Sequence, residues 1–204
     1  MFIKMKACHK LFLTCICIFA LLSSCSNTPG NSKKNIPATK GAELSADEQN
    51  TYQEALEALK AENAEKAIQP LNRIANSHPE HLGAWINLAN AYVATSKINE
   101  AQNALTRAKA INPNLAENYN LQGLIEVNKG EYANAEKSYL QAIKLKGNYP
   151  SAHYNLALLY DIYYQDIDRA VTHYDRYLEL GDGSDKKTIS WVTELKQKIK
   201  RRNK

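Results

Sequence analysis

Histidine is the side chain in the body of this sequence that could hold a metal ion. His78 and His81 are separated by Pro79 and Glu80, and two imidazole nitrogens at that spacing could share one cation. The alternative interpretation is a pair of surface histidines beside the start of a helix. The sequence has no Gly-x-Ser-x-Gly motif, no phosphate-binding glycine loop and no carboxylate pair at a catalytic spacing. It therefore predicts no enzyme and no bound cofactor.

The cysteines are confined to the start of the chain, at Cys8, Cys15, Cys17 and Cys25. The body therefore has no thiol for a disulfide, a nucleophile or a metal site. Residues 1–10 are basic, and Leu11 to Leu22 form an apolar run whose length suits a signal peptide better than a membrane span.

That run ends in Leu22-Ser23-Ser24-Cys25, which resembles a bacterial lipobox. The resemblance implies a signal peptide over residues 1–24 and a Cys25 that carries diacylglycerol and an acylated (palmitate-type) amine. Ser26 stands where lipoproteins kept in the inner membrane typically carry aspartate, which implies anchoring in the outer membrane, facing the periplasm. An uncleaved anchor and an ordinary secretory signal are the alternatives.

Polar residues rich in Gly, Pro, Ser and Asn follow the cysteine, so residues 25–44 are predicted to be a lipidated N-terminus and a flexible tether. The formal net charge of the chain is +5, and the first 24 residues contribute three lysines to it. The small remainder excludes a nucleic-acid-binding footprint.

The body repeats with a period of 34 residues. The repeated positions are Ala67, Ala101 and Ala135; Leu71, Leu105 and Tyr139; and Pro79 and Pro113. A period of about 34 residues, with small and aromatic residues at fixed places, is similar to that of the tetratricopeptide-repeat (TPR) family. The resemblance implies an all-α fold, an α-α superhelix of about four helix-pair repeats closed by a C-terminal capping helix. The predicted repeat region is 45–183, with units at about 48–81, 82–115, 116–149 and 150–183.

Close crossing of the two helices explains the spacing. Small residues such as Ala89 and Gly123 on the first helix must meet Ala101 and Ala135 on the second, while large side chains fill the volume around them. The fourth unit carries one extra residue near Tyr163 to Asp166, which moves its small residue to Ala170.

After Gly181-Asp182-Gly183, residues 184–204 are predicted to form the capping helix and a basic tail. Ser184 is the predicted N-cap, and Ile189, Val192, Leu195 and Ile199 are the predicted apolar stripe. The basic residues near the end of this helix fit a solvated tail, with an anionic-lipid or partner patch as the alternative.

In the TPR family the first helix of each pair lines a groove that binds a partner. Carried over to this sequence, the groove consists of Tyr52, Ile86, Asn90, Asn120, Leu124, Asn128, Tyr154, Leu158 and Asp161. Six of the twelve tyrosines fall in the fourth unit. Tyr154, Tyr163 and Tyr164 lie outside the family's packing positions, so either packing or a binding role is open for them.

The resemblance implies a lipid-anchored scaffold or adaptor of the bacterial cell envelope that binds envelope proteins through this groove. Pilus-biogenesis lipoproteins that help assemble the outer-membrane secretin, and repeat proteins of TonB-type systems, have a similar build. A regulator or accessory of peptidoglycan-modifying enzymes is the alternative, and a homo-oligomer stays open.

Overall fold

The computed structural model describes residues 43–204. The predicted signal peptide, the predicted anchor at Cys25 and residues 25–42 of the predicted tether lie outside the described residues. Within residues 43–204 the chain forms nine α-helices and no strand, which confirms the all-α helix-pair fold class.

The helices follow one another with short turns. They are α1 (Ala46–Lys60), α2 (Ala64–Ser77), α3 (Leu82–Ala94), α4 (Ile98–Ile111), α5 (Ala116–Lys129), α6 (Tyr132–Leu145), α7 (Pro150–Leu158, continued by a π-helical segment, Leu159–Tyr164), α8 (Ile167–Leu180) and α9 (Lys186–Arg202). Odd-numbered helices pair with the even-numbered helices that follow them, and α9 packs against α8. The chain divides into two compact units, Met1–Pro113 and Asn114–Lys204.

The first unit contains α1 to α4. Ser45 caps α1 through a capping box with Glu48, and the Asn63 side chain accepts from the backbone N–H of Lys66 at the start of α2. Its core holds the small and large residues of the repeat pattern, among them Ala67, Leu71, Leu88, Ala89, Ala101 and Leu105, all essentially buried. Each alanine therefore lets two helices approach, and each leucine fills the space around the crossing.

The second unit contains α5 to α9. Its largest buried side chains include Leu121, Ile125, Tyr139, Leu156 and Tyr174. A Cβ added to Gly123 of α5 would lie 2.4 to 2.8 Å from ring atoms of Tyr139 on α6. The helix crossing is thus close enough that the aromatic ring of one helix occupies the place of a side chain on the other.

The turn inside each helix pair has a left-handed residue at the same place. These residues are Glu62, Ser96, Gly130 and Gln165, with φ angles of 58°, 59°, 80° and 54°. Only the third pair uses glycine, the residue that adopts this conformation without a steric cost from Cβ.

The extra residue of the fourth repeat is taken up before this turn. Gly130 and Gln165 are 35 residues apart, whereas the earlier turn residues are 34 apart, and the segment Leu159–Tyr164 is π-helical. An additional residue inside a helix widens one turn in this way. The insertion therefore lies within Leu159–Tyr164, at the end of the helix, and the prediction that placed it near Tyr163 to Asp166 is corrected by a few residues.

The start of the capping helix differs from the prediction. Asp185, not Ser184, is the N-cap of α9, and its carboxylate accepts from the backbone N–H of Thr188 at 3.0 Å and from its hydroxyl at 2.7 Å. The Ser184 N–H instead donates to Asp182. The buried stripe is Thr188, Val192 and Leu195, whereas Ile189 is exposed. A carboxylate is the better cap because it carries a full negative charge at the helix N-terminus.

No helix within residues 43–204 combines the length and apolar composition needed to cross a bilayer.

Candidate partner-binding surface

The predicted groove residues of the first unit are partly accessible. Tyr52 lies on α1, and Ile86 and Asn90 lie on α3; all three are half-buried. The Asn87 amide donates to the Tyr52 hydroxyl at 2.8 Å, and the Tyr52 ring contacts His81 edge-on at 4.9 Å between ring centres. These contacts fix the orientation of Tyr52 before any partner binds.

The predicted groove residues of the second unit are mostly buried. Asn120, Leu124, Tyr154 and Leu158 are each less than 10% exposed, so their side chains offer almost no surface to a partner. Asn120 accepts a hydrogen bond from Asn155 at 2.9 Å. Only Asn128 is exposed, and Asp161 is half-buried. The family positions therefore predict which residues lie on the first helices, but in this unit most of them belong to the core.

Asp161 is held by two aromatic donors. The Trp191 indole N–H of α9 donates to Asp161 Oδ2 at 2.7 Å, and the Tyr174 hydroxyl donates to the same oxygen at 3.3 Å. Burial raises the pKa of the Asp161 carboxyl, and the hydrogen bond from Trp191 opposes this shift. Asp161, predicted as a groove residue, thus joins the capping helix to the fourth repeat.

The three tyrosines left open by the sequence have different surroundings. Tyr154 packs against Tyr174 and Tyr177, with ring centres 5.8 and 4.9 Å apart, which gives it a packing role. Tyr163 lies on the Tyr132 ring at 4.1 Å. Tyr164 is the most exposed of the three, at 37%.

An arginine organises the surroundings of Tyr164. The Arg169 guanidinium lies 4.1 Å from the ring centre of Tyr160 and 6.0 Å from that of Tyr164. Glu136 accepts from both the Tyr160 hydroxyl and Arg169. Burial, followed by the hydrogen bond to Glu136, raises the pKa of Tyr160 to about 12.

His78 and His81 have structural partners. His81 is the N-cap of α3 and accepts from the backbone N–H of Ala84, while His78 Nε2 lies 2.9 Å from Glu48 Oε1. The residues 43–204 contain no cluster of three or more His, Cys, Asp or Glu side chains arranged to hold a metal ion. The two histidines therefore join the ends of α1 and α3.

A histidine pair that the sequence analysis missed lies in the second unit. His153 Nδ1 and His173 Nδ1 are 3.1 Å apart, and the His173 ring also packs on Tyr160. Burial lowers the pKa of His173 to about 4, helped by the charges of His153 and Arg169, and burial also lowers the pKa of His153. The analysis placed His153 at a packing position but had no signal for a partner twenty residues away.

Comparison with known families identifies the repeat. The family described as the tetratricopeptide repeat protein 21 C-terminal ARM domain matches residues 48–167, more than half of the chain. The chain belongs to this family of TPR-like repeat proteins. The match includes α1 to α7 and ends where α8 begins.

Similar proteins fall into two groups. Protein O-mannosyl-transferase TMTC3 of Homo sapiens is 29% identical over 103 residues, which are 50% of this chain and 11% of the relative. The Mus musculus protein of the same name is 32% identical over 83 residues, 40% of this chain and 9% of the relative. This chain thus spans only about a tenth of the length of these curated relatives.

Two solved structures are similar over most of this TPR-like chain. A thermophilic TPR protein of Thermus thermophilus has a TM-score of 0.64 and 25% identity, covering 74% of this chain and 81% of that one. Pseudomonas aeruginosa PilF has a TM-score of 0.61 and 20% identity, covering 76% and 69%. PilF therefore supports the fold alone. The chain is a TPR-type protein–protein interaction scaffold, and its fold implies protein partners.

Proposed function

We propose that this TPR-like chain is a lipid-anchored scaffold of the bacterial cell envelope that recruits a protein partner and performs no catalysis itself. The observation that carries the proposal is the combination of a TPR-like body with the lipobox-like residues Leu22 to Cys25. Two or more acyl chains on Cys25 would hold the chain to the outer membrane, because a single chain binds membranes only marginally. The body would then face the periplasm.

The mannosyl-transferase relatives do not lead us to propose an enzyme. Their similarity to this chain extends over 11% and 9% of their lengths, and the activity in their name belongs to those whole proteins. In this chain the residues 43–204 pair their acidic and histidine side chains with caps, arginines and tyrosines. Assisting a pilus, secretin or TonB-type complex is the finer form of the proposal.

The first unit is the better candidate for partner contact. Tyr52, Ile86 and Asn90 are half-buried there, whereas four of the groove residues of the second unit are in the core. An aromatic ring, an aliphatic side chain and an amide together suit an extended or helical peptide, which offers both apolar side chains and backbone hydrogen-bonding groups. Tyr52 is the expected anchor, because a tyrosine already fixed by Asn87 and His81 loses little entropy on binding.

Site-specific photocrosslinking in intact cells tests the surface. A photoreactive residue at Ile86 or Asn90 is expected to capture an envelope protein, identified by mass spectrometry. The matched control is Arg107, an exposed residue of α4 in the same unit. Capture from Arg107 but not from Ile86 or Asn90 would move the contact to the second helices of the repeats.

Cell fractionation of Cys25→Ala tests the anchor separately. We expect the wild-type chain in the outer-membrane fraction and the variant released from it. A variant that still fractionates wholly with the outer membrane would remove the lipid from the proposal and leave the scaffold role unaffected.

A further inference from the structure

The first helices of three pairs or caps bury the same stripe of residues. Within each helix the stripe occupies positions i, i+4 and i+7: Ala84, Leu88 and Ala91 in α3; Ala152, Leu156 and Leu159 in α7 and its π-helical continuation; Thr188, Val192 and Leu195 in α9. Each of these helices packs against the helix that precedes it, namely α2, α6 and α8. The stripe is therefore the place where a preceding helix docks.

In α1 the same stripe is polar and uncovered. The residues 34 positions before the α3 stripe are Asn50, Glu54 and Glu57, and all three are exposed. They line an open cleft that Lys66 of α2 borders. Within residues 43–204 no helix precedes α1, so this docking position has no occupant in the described part of the chain.

The charge around this cleft is acidic. Residues Glu43 to Lys66 contain seven acidic and two basic side chains. Glu57 pairs with Lys60 at 3.0 Å, whereas Glu54 forms no ion pair with another described residue. A helix that docked here would need to bring positive charge.

The last helix has that charge. Residues Asp185 to Lys204 contain eight basic and two acidic side chains. Lys196 and Arg202 pair with Asp175 and Asp168 on α8, whereas Lys200 and Arg201 are exposed and form no ion pair with another described residue. Because Thr188, Val192 and Leu195 face α8, Lys200 and Arg201 lie on the opposite side of the helix, away from the core.

We propose that the open α1 cleft of one copy of this chain binds the outer face of α9 from a second copy. In that position α9 would cover the α1 stripe as α2 covers the stripe of α3. Lys200 and Arg201 would meet Glu54 and Glu57, and opposite charges brought together at an interface favour association and fix its register. The contact joins two different surfaces, so one copy can use both at once. It is independent of the partner and the anchor proposed above.

Sedimentation velocity on the full chain tests the contact. All proteins carry Cys25→Ala and are kept in mild detergent, so that acyl chains and the apolar N-terminus do not drive association. We expect the parent chain to self-associate at low ionic strength and to dissociate at high ionic strength, because salt screens exposed charges. The variants Glu54→Lys/Glu57→Lys and Lys200→Glu/Arg201→Glu should each weaken self-association by about tenfold or more.

Combining the variants separates a lost contact from a damaged fold. A mixture of the two should form a one-to-one complex, since each retains the surface that the other lacks. A single chain with all four reversals should self-associate again. The matched control, Lys137→Glu/Lys144→Glu on the exposed face of α6, changes the net charge equally and should associate like the parent.

Three results would overturn the proposal. The first is a parent chain that stays monomeric at low ionic strength, which would leave the cleft to a different basic helix. The second is equal weakening by the α6 control, which would mean that net charge alone acts. The third is failure of both the mixture and the four-reversal chain to associate while circular dichroism shows intact helices.

Discussion

The indole N–H of Trp191 donates to Asp161 Oδ2 at 2.7 Å, thirty residues away along the chain. Through this bond the capping helix α9 contacts the first helix of the fourth repeat as well as the second. Trp191 is 44% exposed, so the side chain is retained there without being part of the apolar core.

Replacing Trp191 with phenylalanine should therefore destabilise the chain. The ring remains, but the half-buried Asp161 carboxylate loses its shorter hydrogen bond, which corresponds to about 1–3 kcal/mol for a bond to a charged group. Urea unfolding followed by circular dichroism measures the change. Trp85→Phe is the control, because the Trp85 indole donates to a neutral acceptor, the Pro79 carbonyl, and should cost less. Equal losses in the two variants would contradict this account of Asp161.

The contact between Gly123 and Tyr139 gives a second prediction. In Gly123→Ala the new methyl group would overlap the body of a ring that is 1% exposed, and overpacking of a core typically costs about 1–3 kcal/mol. The higher helix propensity of alanine returns at most about 1 kcal/mol, so a net loss is expected in thermal or urea unfolding.

Gly83 provides the matched control for that substitution. A Cβ there would meet the hydroxyl tip of Tyr52 at 2.7 Å, at the end of a half-buried side chain that can turn aside. Gly83→Ala should therefore cost less than Gly123→Ala. The reverse order would mean that the Tyr139 ring can move more freely than its burial indicates.

The His153–His173 pair predicts acid sensitivity of the second unit. Folding lowers the pKa of His173 from 6.5 to about 4, so the unfolded chain binds a proton more readily than the folded one between these values. Stability is then complete above about pH 6.5 and falls as the pH drops toward 4. After allowance for the partial exposure of His173, the loss is on the order of 1–2 kcal/mol.

Equilibrium unfolding at several pH values, for the parent and for His173→Gln, measures this effect. The variant lacks the titrating group and should have a flatter profile between pH 6.5 and 4. His81→Gln is the control, since His81 caps a helix in the other unit and should lower stability without flattening the profile. Parallel profiles for parent and His173→Gln would assign the acid sensitivity to other groups.

The left-handed turn residues give a stabilising prediction. A side chain with a Cβ costs roughly 1–2 kcal/mol in this conformation, and glycine avoids that cost at the expense of greater freedom in the unfolded chain. Ser96→Gly and Gln165→Gly should each raise the free energy of unfolding by up to about 1 kcal/mol. Ser190→Gly, at an exposed position inside α9, should lower it instead.

Much of the fold could be predicted because the repeat period states the core directly. Leu71, Leu105 and Tyr139 recur every 34 residues, and all three are buried at the predicted crossings. The period constrains which face of a helix is buried, since that face must recur in each pair. It does not constrain which polar side chains meet across helices.

The candidate site was less predictable for that reason. Asn120 and Leu124 occupy groove positions of the family, yet both are buried, because accessibility depends on the neighbouring helices and not on register within one helix. The contact of His153 with His173 and that of Trp191 with Asp161 join non-repeated residues, so no periodic signal marks them. Their partners emerge only once side-chain positions are known.

The π-helical turn at Leu159–Tyr164 bears on how such chains vary in length. It absorbs one added residue within a single turn, after which Gln165 and α8 resume the arrangement of the earlier pairs. A gene encoding these repeats can therefore gain a codon at this place without a compensating deletion elsewhere. Searches that demand a constant period would divide such a unit in two, even though its three-dimensional arrangement is unbroken.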